Sequence, residues 1–220
     1  MKQMQYNLDK TAYDLEKENK RFIWKFFTYL YFLLFSLRNF KEIYIMCGII
    51  GFTGNLQAPG ILVDGLQQLE YRGYDSAGIA VNNGSETKIV KTTGKVATLR
   101  EKVEATADLA GTCGIGHTRW ATHGGVTEVN AHPHVSGNVT LIHNGIIENY
   151  KELAASLKTK GFTAISETDT EVAAMLIDSL YDGDPFAALK EADQMLEGAY
   201  GFCVMFKDHP GEIYCMRKDR

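Results

Sequence analysis

Cys47 follows Met46 and opens the run MCGIIGFTG, so a thiol stands directly before glycine and an apolar, β-prone stretch. If the preceding methionine is removed, such a residue supplies a nucleophile and, through its free α-amino group, a base. The unperturbed pKa of that amine, about 7.7–8, suits proton transfer near neutral pH. Any upstream residue turns the amine into an amide, which cannot act as a base. Five further stretches concentrate polar residues: LEYRGYDSAG, HTRWATHGG, EVNAHPH, HNGIIEN and SETDTE. Five of the six histidines fall between His117 and His143. A metal could be imagined on His132 and His134, but they share no helical face and Pro133 sets an extended turn between them. No metal and no cofactor is expected.

The remaining cysteines read differently from Cys47. Cys113, Cys203 and Cys215 sit in apolar, strand-like runs and are expected to be small buried hydrophobes. No CxxC spacing occurs, so neither a zinc site nor a disulfide framework is indicated, and a reduced cytoplasmic compartment is the expectation. Gly114 and Gly116 make no dinucleotide fingerprint, because Thr118 and Arg119 stand where the third glycine is needed. No phosphate-cradling loop exists, and neither nucleotide nor nucleic-acid binding is suggested.

The elements that must position these residues alternate along the chain. Strands are predicted at 47–52, 76–81, 88–92, 114–120, 139–144, 198–207 and 212–216, from apolar or alternating runs. Helices are predicted at 61–71, 96–105, 146–161, 169–181 and 185–196, where apolar positions recur at three- and four-residue spacing. Thr168 with Glu171 reads as a capping box opening the helix that contains Asp169. Helices packed over buried sheets are the expected architecture.

Residues 1–45 have another character. They contain no Gly, Pro, His or Cys, hold 12 of the 24 aromatics, and carry eight Lys/Arg against five Asp/Glu. Subtraction from the whole chain leaves 15 basic and 22 acidic residues in 46–220, a net of −7 against +3 upstream, so one folding unit is not expected across both. The run FFTYLYFLLFSL is short for a membrane span, which needs roughly 20 apolar residues, and no small-residue cleavage site follows it. Lys41-Glu42 can be encoded by a sequence resembling a ribosome-binding site, with an AT-rich spacer before Met46. The extension is therefore expected to be translated leader, with a propeptide and a membrane segment as alternatives.

With Cys47 in front, the five polar stretches resemble the glutaminase domain of the glutamine–fructose-6-phosphate aminotransferases, which are class II (N-terminal-nucleophile) glutamine amidotransferases. The resemblance runs from Met46 to about Arg217. LEYRGYDSAG and Trp120 side with the sugar enzymes, since the related purine-pathway amidotransferases are expected to read LQHRGQDAAG and to carry tyrosine. The resemblance implies an α+β fold, a four-layer αββα sandwich, incomplete at its C-terminal side over 46–220. It also implies L-glutamine as substrate, with fructose 6-phosphate accepting ammonia in sugar isomerase domains absent here, and a homo-oligomeric full-length enzyme.

Residue by residue, the resemblance makes Cys47 the nucleophile and its α-amine the base. Asn144 and Gly145 become the oxyanion hole, although Asn-Gly alone would be read as a tight turn. Arg119 becomes the clamp on the glutamine α-carboxylate, a task suited to the parallel donors of a guanidinium. Asp169 becomes the acceptor for the α-ammonium, or alternatively only a helix cap. Arg72 is placed near the nucleophile, Trp120, Thr122 and His123 on a loop closing over glutamine, and His132 near the domain junction. The loop reads HGGVTE, without the proline that family members often carry.

Overall fold

The computed structural model describes residues 47–218 and, before them, the backbone of Ile23–Trp24. The leader, propeptide and membrane readings of residues 1–45 lie outside the described residues, apart from that dipeptide, β1. Its backbone pairs with Phe52 and Gly51. Among the described residues no helix is long and apolar enough to cross a membrane.

Two antiparallel sheets face one another. The first, ordered β1-β2-β5-β3-β4, contains β2 (Gly48–Thr53), β3 (Ser76–Asn82), β4 (Thr87–Thr93) and β5 (Cys113–Arg119). The second, β6-β7-β8-β9, contains β6 (His134–Ser136), β7 (Val139–Ile147), β8 (Gly198–Phe206) and β9 (Tyr214–Lys218). Helices α1 (Ala58–Gln67) and α2 (Val96–Ala105) cover the first sheet, burying Leu62, Leu66, Val96 and Leu99 with Ile50, Phe52, Ile79 and Val81. Helices α3 (Tyr150–Thr159), α4 (Asp169–Leu180) and α5 (Pro185–Met195) cover the second, with Leu157, Leu176 and Leu189 against Leu141, Phe202 and Phe206. A third apolar cluster, Ala80, Cys113, Ile115, Ile142, Cys203 and Met205, joins the two sheets. The layers are thus αββα, as expected.

Because both faces of the first sheet's centre are covered, its inner strands β3 and β5 are buried throughout rather than on one face only. Period-2 alternation then decides which layer each side chain enters. On β5, Cys113 and Ile115 enter the inter-sheet space; on β7, Ile142 does, while Val139 and Leu141 face the helices. Each fully buried Leu or Ile contributes about 1.5–3 kcal/mol.

Several boundaries differ from expectation. Residues 146–147 are strand, not helix, because their backbones pair with Ala199 and Gly198, and α3 starts only at Tyr150. Helix α1 starts earlier than predicted, with Pro59 in its first turn, and gives way to a 3-10 turn at Glu70–Arg72. The short β6 was not expected. Half of the capping box forms: Thr168 accepts from Glu171 N at 3.2 Å. The Glu171 carboxylate reaches past Thr168 to the N–H groups of Ile165 and Ser166, at 3.0 and 2.6 Å. Cys215 is exposed rather than buried, and its sulfur lies 3.5 Å from that of Cys203, directly opposite it on β8.

Candidate active site

Cys47 stands half-buried at the open end of β2. The next residue, Gly48, pairs with Thr118 and donates its N–H to Thr118 Oγ1 at 3.1 Å. A side chain at Gly48 would come within 2.7 Å of both Thr118 Oγ1 and Leu69 Cδ1, so the residue after the cysteine has to be glycine here. The Trp120 N–H donates to Cys47 Sγ at 3.1 Å. Burial pushes the Cys47 thiol above its ordinary pKa, against the opposing pull of that N–H and of the Arg119 guanidinium. A thiol so shifted is protonated at pH 7 and needs a base before it can attack. With Met46 attached, its own nitrogen cannot be that base.

Arg119 ends β5 and is buried. Its guanidinium donates to the carbonyl oxygens of His123, Gly124 and Gly125, the last at 3.3 Å. It therefore anchors the segment 120–125, while a guanidinium's five N–H donors leave capacity for a further acceptor. The same segment is held from two other sides. Asp75 Oδ2 accepts from Ala121 N at 2.5 Å. Glu167 Oε2 accepts from Gly125 N at 3.1 Å and from Asn130 Nδ2 at 2.9 Å, while Asn130 Oδ1 accepts from Glu167 N at 3.0 Å. The bonds from Asn130 Nδ2 and from Gly125 N hold the Glu167 carboxyl below its ordinary pKa. Trp120 is exposed, as is Thr122, so the loop presents an aromatic face and a hydroxyl to solvent.

Asn144 and Gly145 lie on β7, which continues past them to Ile147; they are not a turn. Asn144 Nδ2 donates to the Cys47 carbonyl at 3.2 Å, and its Oδ1 lies 2.9 Å from His117 Nε2. Gly145 has φ +128°, a conformation closed to most side chains, and a Cβ there would strike Ala199 O and Tyr200 Cα of β8. Glycine thus carries the strand past a backbone contact and leaves the Gly145 segment open to solvent.

Asp169 is the first residue of α4, with Thr168 as the N-cap. The capping role considered for Asp169 therefore falls to Thr168. Asp169 Oδ2 accepts from Ile147 N at 3.0 Å, tying α4 to the end of β7. Two imidazoles approach the carboxylate: His123 Nδ1 at 4.0 Å and His143 Nδ1 at 3.9 Å. His143 Nδ1 also lies 3.0 Å from Thr170 Oγ1. Burial drives the His143 pKa down to about 4, against the raising pull of Asp169.

His132 is buried, with its ring 4.2 Å from that of His117 and 5.0 Å from that of His134. Its Nδ1 has no hydrogen-bond partner, and burial drives its pKa well below the ordinary value. It is a packed ring held neutral by burial. Arg72 ends the 3-10 turn, where its guanidinium lies over the Tyr71 ring at 5.8 Å. The structure brings Cys47, Arg119, Trp120, Asn144 and the loop bearing Thr122 and His123 together, with Asp169 beside His123. His132 stands one histidine away, against His117. Among the described residues no hydrogen bond joins Arg72 to Cys47. Sequence reasoning missed His117, Asp75, Asn130 and Glu167. His117 could have been found, since it shares a β5 face with Cys113 and Ile115 where an apolar residue is expected. Among the described residues no group of three or more His, Cys, Asp or Glu could hold a metal ion.

Residues 117–220 match the family model described as "Glutamine amidotransferase domain". The glutamine–fructose-6-phosphate aminotransferase (isomerizing) of Thermus thermophilus is 53% identical over 166 residues, covering 74% of this chain and 27% of that protein. The enzyme of the same name from Caldanaerobacter subterraneus is 49% identical over 176 residues, covering 79% and 29%. This chain spans less than a third of the length of these curated relatives. Among solved structures, the glutamine phosphoribosylpyrophosphate amidotransferase of B. subtilis, complexed with ADP and GMP, superposes with a TM-score of 0.62 at 30% identity. That match covers 72% of this chain and 35% of the other.

Proposed function

We propose that this chain belongs to the glutamine amidotransferase family and that its domain is the glutamine-hydrolysing part of an enzyme that delivers ammonia to fructose 6-phosphate, giving glucosamine 6-phosphate and glutamate. One observation carries the reading: Cys47, the Asn144 amide and the Arg119-anchored loop converge at one end of the paired sheets. The greater identity to the sugar aminotransferases than to the solved purine-pathway enzyme supports fructose 6-phosphate as acceptor.

In this mechanism, removal of the residues before Cys47 frees its α-amine, which takes the thiol proton through a water. The thiolate adds to the glutamine side-chain carbonyl carbon, and the developing oxyanion is stabilised by Asn144 Nδ2–H and the Gly145 N–H. Asn144 Nδ2 uses one N–H on the Cys47 carbonyl and keeps a second for this purpose. One such donor is typically worth about 10²–10³ in rate. The C–N bond breaks, the amine proton passes to the departing nitrogen, and ammonia leaves a glutamyl thioester. Water then hydrolyses the thioester to glutamate and free thiol.

Arg119 pairs with the substrate α-carboxylate and Asp169 with the α-ammonium, which together discriminate glutamine from simple amides. Trp120, Thr122 and His123 close over the bound glutamine, while Arg72 and His132 border the site. A cytoplasmic location belongs to the same proposal. The test is the intact mass of the protein expressed from its own gene and upstream DNA, with glutamate release assayed on the same sample. A mass starting at Cys47 with activity is expected. Such a mass with no glutamate release would refute the reading. Supplying fructose 6-phosphate or phosphoribosyl pyrophosphate to the full-length gene product separates the two acceptors.

A further inference from the structure

We propose that His117 is a positioning residue that fixes which way the Asn144 side-chain amide points, so that its N–H₂ group faces Cys47. The inference rests on the reading of Asn144 as an oxyanion donor and adds the residue that makes it one.

A side-chain amide can rotate by half a turn and exchange its oxygen and nitrogen at almost no steric cost, so a donor built from asparagine has to be locked. Two neighbours lock this one. The Cys47 carbonyl can only accept, so the atom 3.2 Å from it is Asn144 Nδ2. Oδ1 must then face the other neighbour, His117 Nε2, at 2.9 Å. An oxygen there requires a donor, so His117 is held as the Nε2–H form. Burial keeps the imidazole neutral, with a pKa driven down to about 3. Its Nδ1 is buried and makes no hydrogen bond of good geometry, although the His143 backbone close by pulls the ring's pKa upward against burial.

The fold supplies rigidity. His117 is fully buried on β5, and Asn144 is on β7 of the opposing sheet. The His132 ring packs on His117 at 4.2 Å between centroids. An amide swung the other way would set its oxygen toward Cys47 and repel the developing negative charge. Losing the lock should therefore lower kcat, up to the loss of a whole oxyanion donor, about 10²–10³, with little change in KM.

Two measurements on the protein expressed from its own gene, with the residues before Cys47 removed, test this. The first is independent of activity: ¹⁵N long-range spectra of the histidine rings at pH 7. His117 as a neutral Nε2–H ring is expected. A neutral Nδ1–H ring, donating instead toward the neighbouring His143 carbonyl, would overturn the proposal. The second compares His117→Leu, which removes the donor, with His117→Gln, whose amide N–H can restore it, and with Asn144→Ala. In glutamine hydrolysis, His117→Leu should lower kcat about 10- to 100-fold with KM within about twofold. His117→Gln should recover most of that loss. Equal kcat losses in folded Leu and Gln variants, or a wild-type rate in His117→Leu, would overturn the positioning role. If Asn144→Ala keeps its full rate, the oxyanion reading fails instead, and the ring spectra alone decide what His117 holds. Should His117→Leu fail to fold, the spectra and the Gln variant still decide.

Discussion

One face of β5 and the facing side of β7 change character within a single pair of residues. Cys113 and Ile115 meet Ile142, Cys203 and Met205 in an apolar cluster. Two residues further along the same faces, His117 meets Asn144. The apolar end has no polar side-chain nitrogen to satisfy. The polar end buries His117 Nδ1 and His132 Nδ1 without a partner, and His143 Nε2 likewise on the helix-covered side of β7. Such groups cost about 1–3 kcal/mol each, so stability alone does not account for them. The difference teaches that the two ends answer to separate demands: one holds the sheets together, and the other holds donors in place where Cys47 opens its strand.

Substitutions at the two ends should separate rate from stability. Cys47→Ala is expected to reduce glutamine hydrolysis by about 10⁴-fold or more, whereas Cys203→Ala should leave kcat unchanged and only weaken packing. Comparable residual activity in both variants would break the comparison. Asn144→Ala should lower kcat about 10²–10³-fold with a small change in urea midpoint. Ile142→Ala, two residues earlier, should do the reverse, losing about 2–5 kcal/mol of stability while its folded fraction keeps its kcat.

A smaller effect is expected from Asp169→Ala, which should raise the KM for glutamine about 10-fold or more, the loss of one charge-assisted contact of about 1.5–3 kcal/mol. An unchanged KM would confine Asp169 to its hydrogen bond with Ile147 N.

The mildest test uses pH. His117, His134 and His143 have pKa values driven down from 6.5 to about 3, 3 and 4, chiefly by burial. Below pH 6.5 the unfolded chain binds protons that the folded chain refuses, so νU exceeds νN and stability rises with pH. Their contribution is therefore intact above 6.5 and is lost as pH falls toward 4. Urea midpoints measured at pH 7, 6 and 5 should fall accordingly. A flat profile over that range would show that the polar end is not a neutral buried cluster.

The amino-acid order alone determined where most of the strands and helices lie. Alternation and helical spacing are local, so the strands around Ile50, Ile79 and Phe202 and the helices covering them were legible, as was the cysteine placed before a glycine. The motifs named Arg119, Asn144, Gly145 and Asp169 because their order along the chain is itself a pattern. The end of β7 was not legible: Ile146 and Ile147 suit a helix, and only the backbone of Ala199 and Gly198 makes them strand. Nor could local spacing show that Arg119 anchors the 120–125 loop or that Cys215 faces Cys203. Likewise, alternation put His117 on the face of Ile115 but could not say which strand that face would meet. The β7–β8 and β8–β9 pairings form within one sheet and the Arg119 bonds span only a few residues, but each depends on a backbone path that local spacing does not fix. The His117–Asn144 contact exists only once the two sheets have closed on each other.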